Sequence, residues 1–415
     1  MFFNRLLSKT LKETISQRPL VYLNGARQAG KSTLVQNLDL QKEINYITLD
    51  SPFILSAVKT DAENFVAELP KDKINIIDEV QIAKELFPVL KIEIDRARLK
   101  KQNINQLYIL TGSANLMALP TLASYLAGRM SILTLYPLSS SEYTKTYFNF
   151  IEKLYSQKLE YGTITNKNNL LDIMRNATFP EIAVNKKINR IKWLEDYLNT
   201  ILQRDIRNIA DIKNPEKIIS LLSFLATRVG GLVNNSSIMK EIGLDNKTYD
   251  KYKALAMNTF LTFEIKAWTP ITKINKKFTK SSKLYFTDIN MLCYILRDSL
   301  EDIYKNNKVI FGNIFKNFVA NEIIKNSADG GIDISYFKTV DNKEVDFVLE
   351  NRKGEILAIE VKSAKIVNER DVKALTELQK ITKDKFKKGI VFYTGNEIVP
   401  IKKDIWAVPI SYIWQ

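Results

Sequence analysis

The sequence predicts an α/β fold built on a parallel sheet, followed by a helical region and a C-terminal α+β domain, and three observations carry this. Between residues 18 and 150 short apolar runs alternate with helical patterns, as they do when crossover helices join the strands of a parallel sheet. The run Gly25-Ala26-Arg27-Gln28-Ala29-Gly30-Lys31-Ser32 fits G-x-x-x-x-G-K-[ST] and lies between an apolar, strand-length segment (Leu20-Val21-Tyr22-Leu23) and a helix opening at Thr33. A second apolar run, Ile74-Asn75-Ile76-Ile77, ends in Asp78-Glu79. Two carboxylates then stand at the C-terminal edge of the sheet, where open α/β sheets bind ligands.

Taken in order, the glycine loop comes first. Its glycines let backbone N–H groups close around a polyphosphate, Lys31 reaches the β and γ phosphates, and the Ser32 hydroxyl is a magnesium ligand. Gly25, Ala26, Arg27, Gln28, Ala29, Gly30, Lys31, Ser32 and Thr33 are therefore the expected nucleotide-binding residues. Further strands are expected at Asn45–Leu49, Ile74–Ile77, Leu107–Leu110 and Ser131–Tyr136. Asp78 is placed to hold magnesium through water, and Glu79 to polarise an attacking water, a pairing that favours hydrolysis. The strand at 107–110 runs into Thr111-Gly112-Ser113-Ala114-Asn115. Ser113 and Asn115 there are either γ-phosphate sensors or ordinary turn residues. Arg129 is either a charge-stabilising group, in its own subunit or a neighbour's, or a structural ion pair.

Composition narrows the chemistry. The 415 residues hold no histidine and one cysteine, Cys293, which removes imidazole bases, leaves zinc without a ligand set and rules out an internal disulfide. Any metal is expected to be hard and oxygen-ligated, magnesium first. With no run of eighteen apolar residues and no signal peptide, the expectation is a soluble cytoplasmic protein without a membrane partner. A formal charge of +15 points to a polyanion such as DNA, or to a compositional bias towards lysine.

From 151 to about 210 the pattern is helical, with Trp193, Leu194, Tyr197, Leu198, Ile201 and Leu202 at helical spacing. Three helices follow. Pro215 opens the first, Ser236-Ser237 cap the second, and Gly243-Leu244-Asp245 turns the chain into a third that presents Lys247, Thr248, Tyr249, Lys251 and Tyr252. A lysine-rich hairpin comes next, with Lys266, Lys273, Lys276, Lys277, Lys280 and Lys283. This is the order of a winged helix, which serves either as a DNA-contacting module, through Lys247, Tyr249, Lys251, Lys276, Lys277 and Lys280, or as a protein-packing one. The final segment opens with a helix at Phe311–Lys325 and continues in strands near 334–338, 344–349, 356–361 and 389–393. Strand alternation puts Glu360 and Lys362 on one face, facing Asp346 on the next strand. The set is suited to a second magnesium and phosphodiester cleavage, or is simply a charged sheet face. The expected domains are 1–150, 151–210, 211–283 and 284–415.

These motifs in this order, GARQAGKST, IIDEVQ, LTGSAN, LAGRMSILTLYPLS, FPE, QRDI, KLYFTD, EVDFVLE and IEVKSA, resemble the bacterial and archaeal AAA+ ATPases that join an N-terminal P-loop domain to a C-terminal domain of unknown function. The resemblance implies ATP binding and hydrolysis with Mg2+, with Lys31, Ser32, Asp78 and Glu79 in the roles above, and homo-oligomers in which Arg129 acts across an interface. The C-terminal carboxylates look like a PD-(D/E)XK nuclease core. Relatives carry an acid after the phenylalanine of the opening helix, where this chain has Phe315-Lys316; Glu322 is the nearest substitute. The expected function is an ATPase whose nucleotide state moves a DNA-contacting winged helix and nuclease-like domain. The alternative is a nucleotide-gated switch that docks a protein, with that domain inactive.

Overall fold

The glycine loop hangs from a strand buried along its whole length. β1 (Leu20–Gly25) pairs in parallel with β4 (Tyr108–Gly112) on one side and β5 (Met130–Leu135) on the other. β3 (Ile74–Asp78) and β2 (Ile44–Thr48) complete a five-stranded parallel sheet in the order β2-β3-β4-β1-β5. In β1, Val21 and Leu23 enter one apolar core and Leu20 and Tyr22 another, so both faces of the sheet are covered. This is a computed structural model, and it describes residues 2–40, 42–99, 108–113, 115, 125, 127–165, 168–206, 216–232, 235–269, 281–328, 330–339 and 341–415.

The helices that position the site are α1 (Leu7–Gln17), α2 (Lys31–Gln36), which continues the glycine loop, and α3 (Leu86–Leu99). The connector carries α4 (Arg190–Thr200), prolonged by a π-helical turn over Ile201–Asp205. Such turns are uncommon and cluster at functional sites. Three helices then follow: α5 (Glu216–Thr227), α6 (Asn235–Ile242) and α7 (Asn246–Asn258), the last capped by Asp245 accepting from the Thr248 amide at 2.9 Å. Because α6 begins at Asn235, Ser236 and Ser237 lie inside it and are not its caps.

β7 (Thr262–Ala267) and β8 (Lys283–Phe286) form the antiparallel pair expected after these helices. The pair does not stand apart from the final domain, since β7 runs beside β9 (Ile332–Lys338) in a nine-stranded sheet. A boundary at 283/284 therefore cuts through β8. The rest of that sheet is β10 (Glu344–Asn351), β11 (Ile356–Lys362), β12 (Phe386–Tyr393), β13 (Glu397–Lys402) and β14 (Ile405–Pro409), with β6 (Gly162–Thr163) from the connector at its far edge. α8 (Lys308–Asn326) covers one face and α9 (Lys373–Thr382) the other. α8 is buried on all sides from Phe315 onward apart from Lys316, which explains why its sequence lacks a polar stripe. No helix among the described residues is long and apolar enough to cross a membrane.

Candidate functional site

Two glycines of the loop are required by its geometry. Gly25 has φ +146° and a Cβ there would lie 2.1 Å from the Leu135 carbonyl oxygen, while Gly30 has φ +94°. The turn aims Lys31 back into the loop, where its Nζ donates to the carbonyls of Gly25 and Ala26, each at 3.0 Å. Burial lowers this ammonium to about 8, only partly opposed by Glu79 and Asp78.

The loop and the end of β3 meet directly. Ser32 Oγ donates to Asp78 Oδ2 at 2.7 Å, and Asp78 also accepts from Tyr46, Thr111 and the Glu79 amide. Burial alone would raise this carboxyl, but those hydrogen bonds hold it below its ordinary value, so it stays charged. A hydroxyl beside a charged carboxylate is an all-oxygen donor set that fits magnesium. Glu79 sits in the left-handed region at φ +58°, a conformation that costs a non-glycine residue about 1 kcal/mol. Its carboxylate accepts from the Gln81 amide, which also donates to Ser113 Oγ at 3.2 Å, and burial raises its pKa. Ser113 thus orients Glu79 through Gln81. The Asn115 backbone N–H donates to the Asn258 carbonyl at the end of α7 at 2.9 Å.

The loop's side chains are divided between ligand and scaffold. Gln28 and Thr33 are exposed at the mouth, and Ala26 and Ala29 are packed in the core beneath. Arg27 is claimed by a bidentate pair with Asp205 on the π-helical turn, at 3.0 and 2.9 Å, and Arg204 next to it reaches Asp50 at 2.8 Å. Arg5 supports the loop from below, donating to the Ala29 carbonyl at 2.7 Å and pairing with Glu142 at 3.2 Å. Tyr46, Thr111, Gln81, Asp205 and Arg5 are members of the site that motif reading missed. QRDI carried a signal for Asp205 only as a motif without a role.

Arg129 is corrected as a group acting on its own subunit's phosphate. It precedes Met130, which registers with Leu20 at the opposite end of β1 from the loop, about 16 Å away at 3.3 Å per residue. There its guanidinium holds Asp95 of α3 at 2.7 and 2.8 Å. One expected DNA contact is corrected as well: Tyr249 is 1% exposed, with its hydroxyl on Asn235 at 2.8 Å. Lys283, the last lysine of the expected hairpin, is fully buried against Glu344 and Asp346. Lys247 and Lys251 lie on the exposed side of α7. Lys273, Lys276, Lys277 and Lys280 lie outside the described residues.

The C-terminal carboxylates do meet. The β10–β11 register begins at Phe347 opposite Ile359, one residue inside Asp346 and Glu360, and a bulge in β10 between Val345 and Val348 spans Asp346. Asp346 Oδ2 accepts from the Val361 amide at 3.0 Å, while Oδ1 faces Lys316 Nζ at 2.8 Å and Lys283 Nζ at 3.6 Å. Glu360 is held by Lys362 at 3.0 Å, and burial, then Asp346, push it up to about 8. Glu322 cannot join them, for it is buried at the other end of α8, accepting from the Ser140 amide at 2.9 Å. Among the described residues no three metal-ligating side chains converge. The second magnesium expected at Asp346 and Glu360 does not fit this set, in which ammonium groups already occupy the carboxylates.

Comparison with known proteins agrees with the N-terminal geometry. Residues 17–144 match the family described as AAA domain, and 167–302 and 311–413 match two described as domains of unknown function, DUF8612 and DUF4143. An uncharacterized protein of Haemophilus influenzae is 26% identical over 405 residues, covering 91% of this chain and 90% of its own. The uncharacterized protein Rv2008c of Mycobacterium tuberculosis is 22% identical over 406 residues, with coverage of 97% and 82%. Among solved structures, the Walker-type ATPase PABY2304 of Pyrococcus abyssi aligns over 71% of this chain and 96% of its own, at 16% identity and a TM-score of 0.42. The N-terminal part of the chain is an AAA-type P-loop domain.

Proposed function

We propose that this protein binds ATP with Mg2+ in the loop Gly25–Ser32, hydrolyses it with Glu79 orienting water, and passes the nucleotide state to the helical region through α7. The observation that carries the reading is the Ser32–Asp78 hydrogen bond, which joins the phosphate loop to the acid at the end of β3. Lys31, the loop amides and Ser32 hold the phosphates, Asp78 and Ser32 hold magnesium, and Mg2+ supplies charge neutralisation at the β and γ phosphates. Glu79 stands one residue from Asp78, fixed by Gln81 and Ser113. Asn115 joins the segment after β4 to α7 by a hydrogen bond, and Arg27–Asp205 joins the loop to α4's extension by an ion pair, so a change at the phosphates has two short non-covalent routes outward. A hydrolysis role for Arg129 belongs to a homo-oligomer and requires its release from Asp95.

The partner we assign is DNA, in the cytoplasm, met by Lys247 and Lys251 on α7; the support is their exposure on one helix and the chain's +15 charge. The test is one assay series on the purified chain: ATP binding, ATP turnover, and both again with single- and double-stranded DNA over a salt range. Lys31→Ala is expected to lose binding, and Glu79→Gln to bind ATP but turn over at least 100-fold more slowly. Normal turnover in both refutes the ATPase reading. ATP binding with no turnover and no salt-sensitive DNA affinity leaves a nucleotide-gated switch that docks a protein.

A further inference from the structure

We propose that Lys316 is the resident cation of the C-terminal carboxylate cluster, so that this domain takes up no divalent metal at Asp346 and Glu360 and does not cut phosphodiesters there. The proposal is independent of the nucleotide reading.

Both oxygens of Asp346 are already engaged. The Val361 amide holds one, and the Lys316 ammonium, 2.8 Å away, holds the other with Lys283 behind it. A metal at that oxygen would have to share it with a cation already within hydrogen-bond distance, in a pocket where Asp346 is 2%, Lys283 0% and Lys316 25% exposed, so that water screens the repulsion only in part. Glu360 Oε1 is taken by Lys362, and its other oxygen is buried with no hydrogen-bond partner. Charge balance agrees: Glu344, Asp346, Glu360 and Asp371 are met by Lys283, Lys316, Lys338 and Lys362. A site built for a divalent ion keeps carboxylate charge in excess for the metal to neutralise.

The lysine is seated as well as paired. Its stem descends from α8 past Gly230, where a Cβ would stand 3.5 Å from Lys316 Cδ, and Gly230 is tied by its N–H to the Leu284 carbonyl at 3.0 Å. The route of the side chain is thus bounded by the backbone beside β8, and it ends on Asp346.

The experiment measures free Mn2+ by electron paramagnetic resonance while titrating the full chain without nucleotide, in an Asp78→Asn background that silences the loop site. Adding Asp346→Asn is expected to change nothing. Lys316→Glu is expected to gain one Mn2+ per chain, and Lys316→Glu with Asp346→Asn to lose it again. Mn2+ bound in the Asp78→Asn chain and lost on Asp346→Asn overturns the proposal, as does a folded Lys316→Glu chain that gains none. If Lys316→Glu does not fold, thermal melting decides: Lys316→Met is expected to lower Tm and Lys316→Met with Asp346→Asn to restore most of it. A Lys316→Met chain as stable as the natural one overturns the assignment.

Discussion

ATP binding should draw a proton from solution above pH 8, and Lys31 fixes how much. Its ammonium is buried under the glycine loop, where among the described residues two carbonyls accept from it, and burial brings it down to about 8. Charged phosphates favour the protonated form and return it towards its ordinary range. The sign follows: the charged form binds, so affinity falls as pH rises through 8. At pH 8.5 about three quarters of the free protein carries a neutral Lys31, so binding takes up about 0.75 proton and loses about fourfold in affinity relative to the fully charged form. That loss is about 0.8 kcal/mol. Isothermal titration of a non-hydrolysable ATP analogue in two buffers of different ionisation enthalpy reads the uptake directly. At pH 6.5 Lys31 contributes almost nothing, and Lys31→Arg, charged throughout, should lose the rise between the two pH values. Equal uptake at 6.5 and 8.5, or an unchanged rise in Lys31→Arg, refutes the argument that burial lowers Lys31.

Two further perturbations test how the site is supported. Asp205→Ala leaves Arg27 without its bidentate partner in a largely buried position, and should cost about 3 kcal/mol in urea unfolding; Arg27→Met with Asp205→Leu should recover most of it, and a cost below 1 kcal/mol in the single variant would show the pair to be ornamental. Tyr249→Phe removes a buried hydroxyl bonded to Asn235, costing about 1 kcal/mol of stability. DNA affinity measured by fluorescence anisotropy should not move in Tyr249→Phe, whereas Lys247→Ala and Lys251→Ala should weaken it and reduce its salt dependence. A tenfold loss in Tyr249→Phe would contradict its burial.

Local sequence determined much of this molecule. Strand–loop–helix at 20–36 is written in adjacent residues, and so is Asp78 at the end of an apolar run, because both depend on backbone conformation and on continuous burial along one strand. The nearness of Asp346 and Glu360 on paired strands was legible as well: a two-residue period and a short connection fix register. β13 and β14 were not foreseen, since β13 lies in an outer, half-exposed position whose pattern is weak.

Tertiary structure alone decided which charges answer which. Arg27 meets Asp205 across 178 residues of sequence, and Ser140 meets Glu322 across 182; no local period encodes such pairings. The same limit misassigned Tyr249, which faces Asn235 instead of a ligand, and left Arg129 open between a phosphate contact and the ion pair with Asp95 that the fold holds. Lys316 is the sharpest case. Sequence shows a lysine beside Phe315 on a helix, and only the packing of α8 against β8 and β11 shows that its ammonium ends on Asp346. Motifs supply chemical groups, and the fold decides whether a carboxylate meets a metal, a water or another side chain's charge.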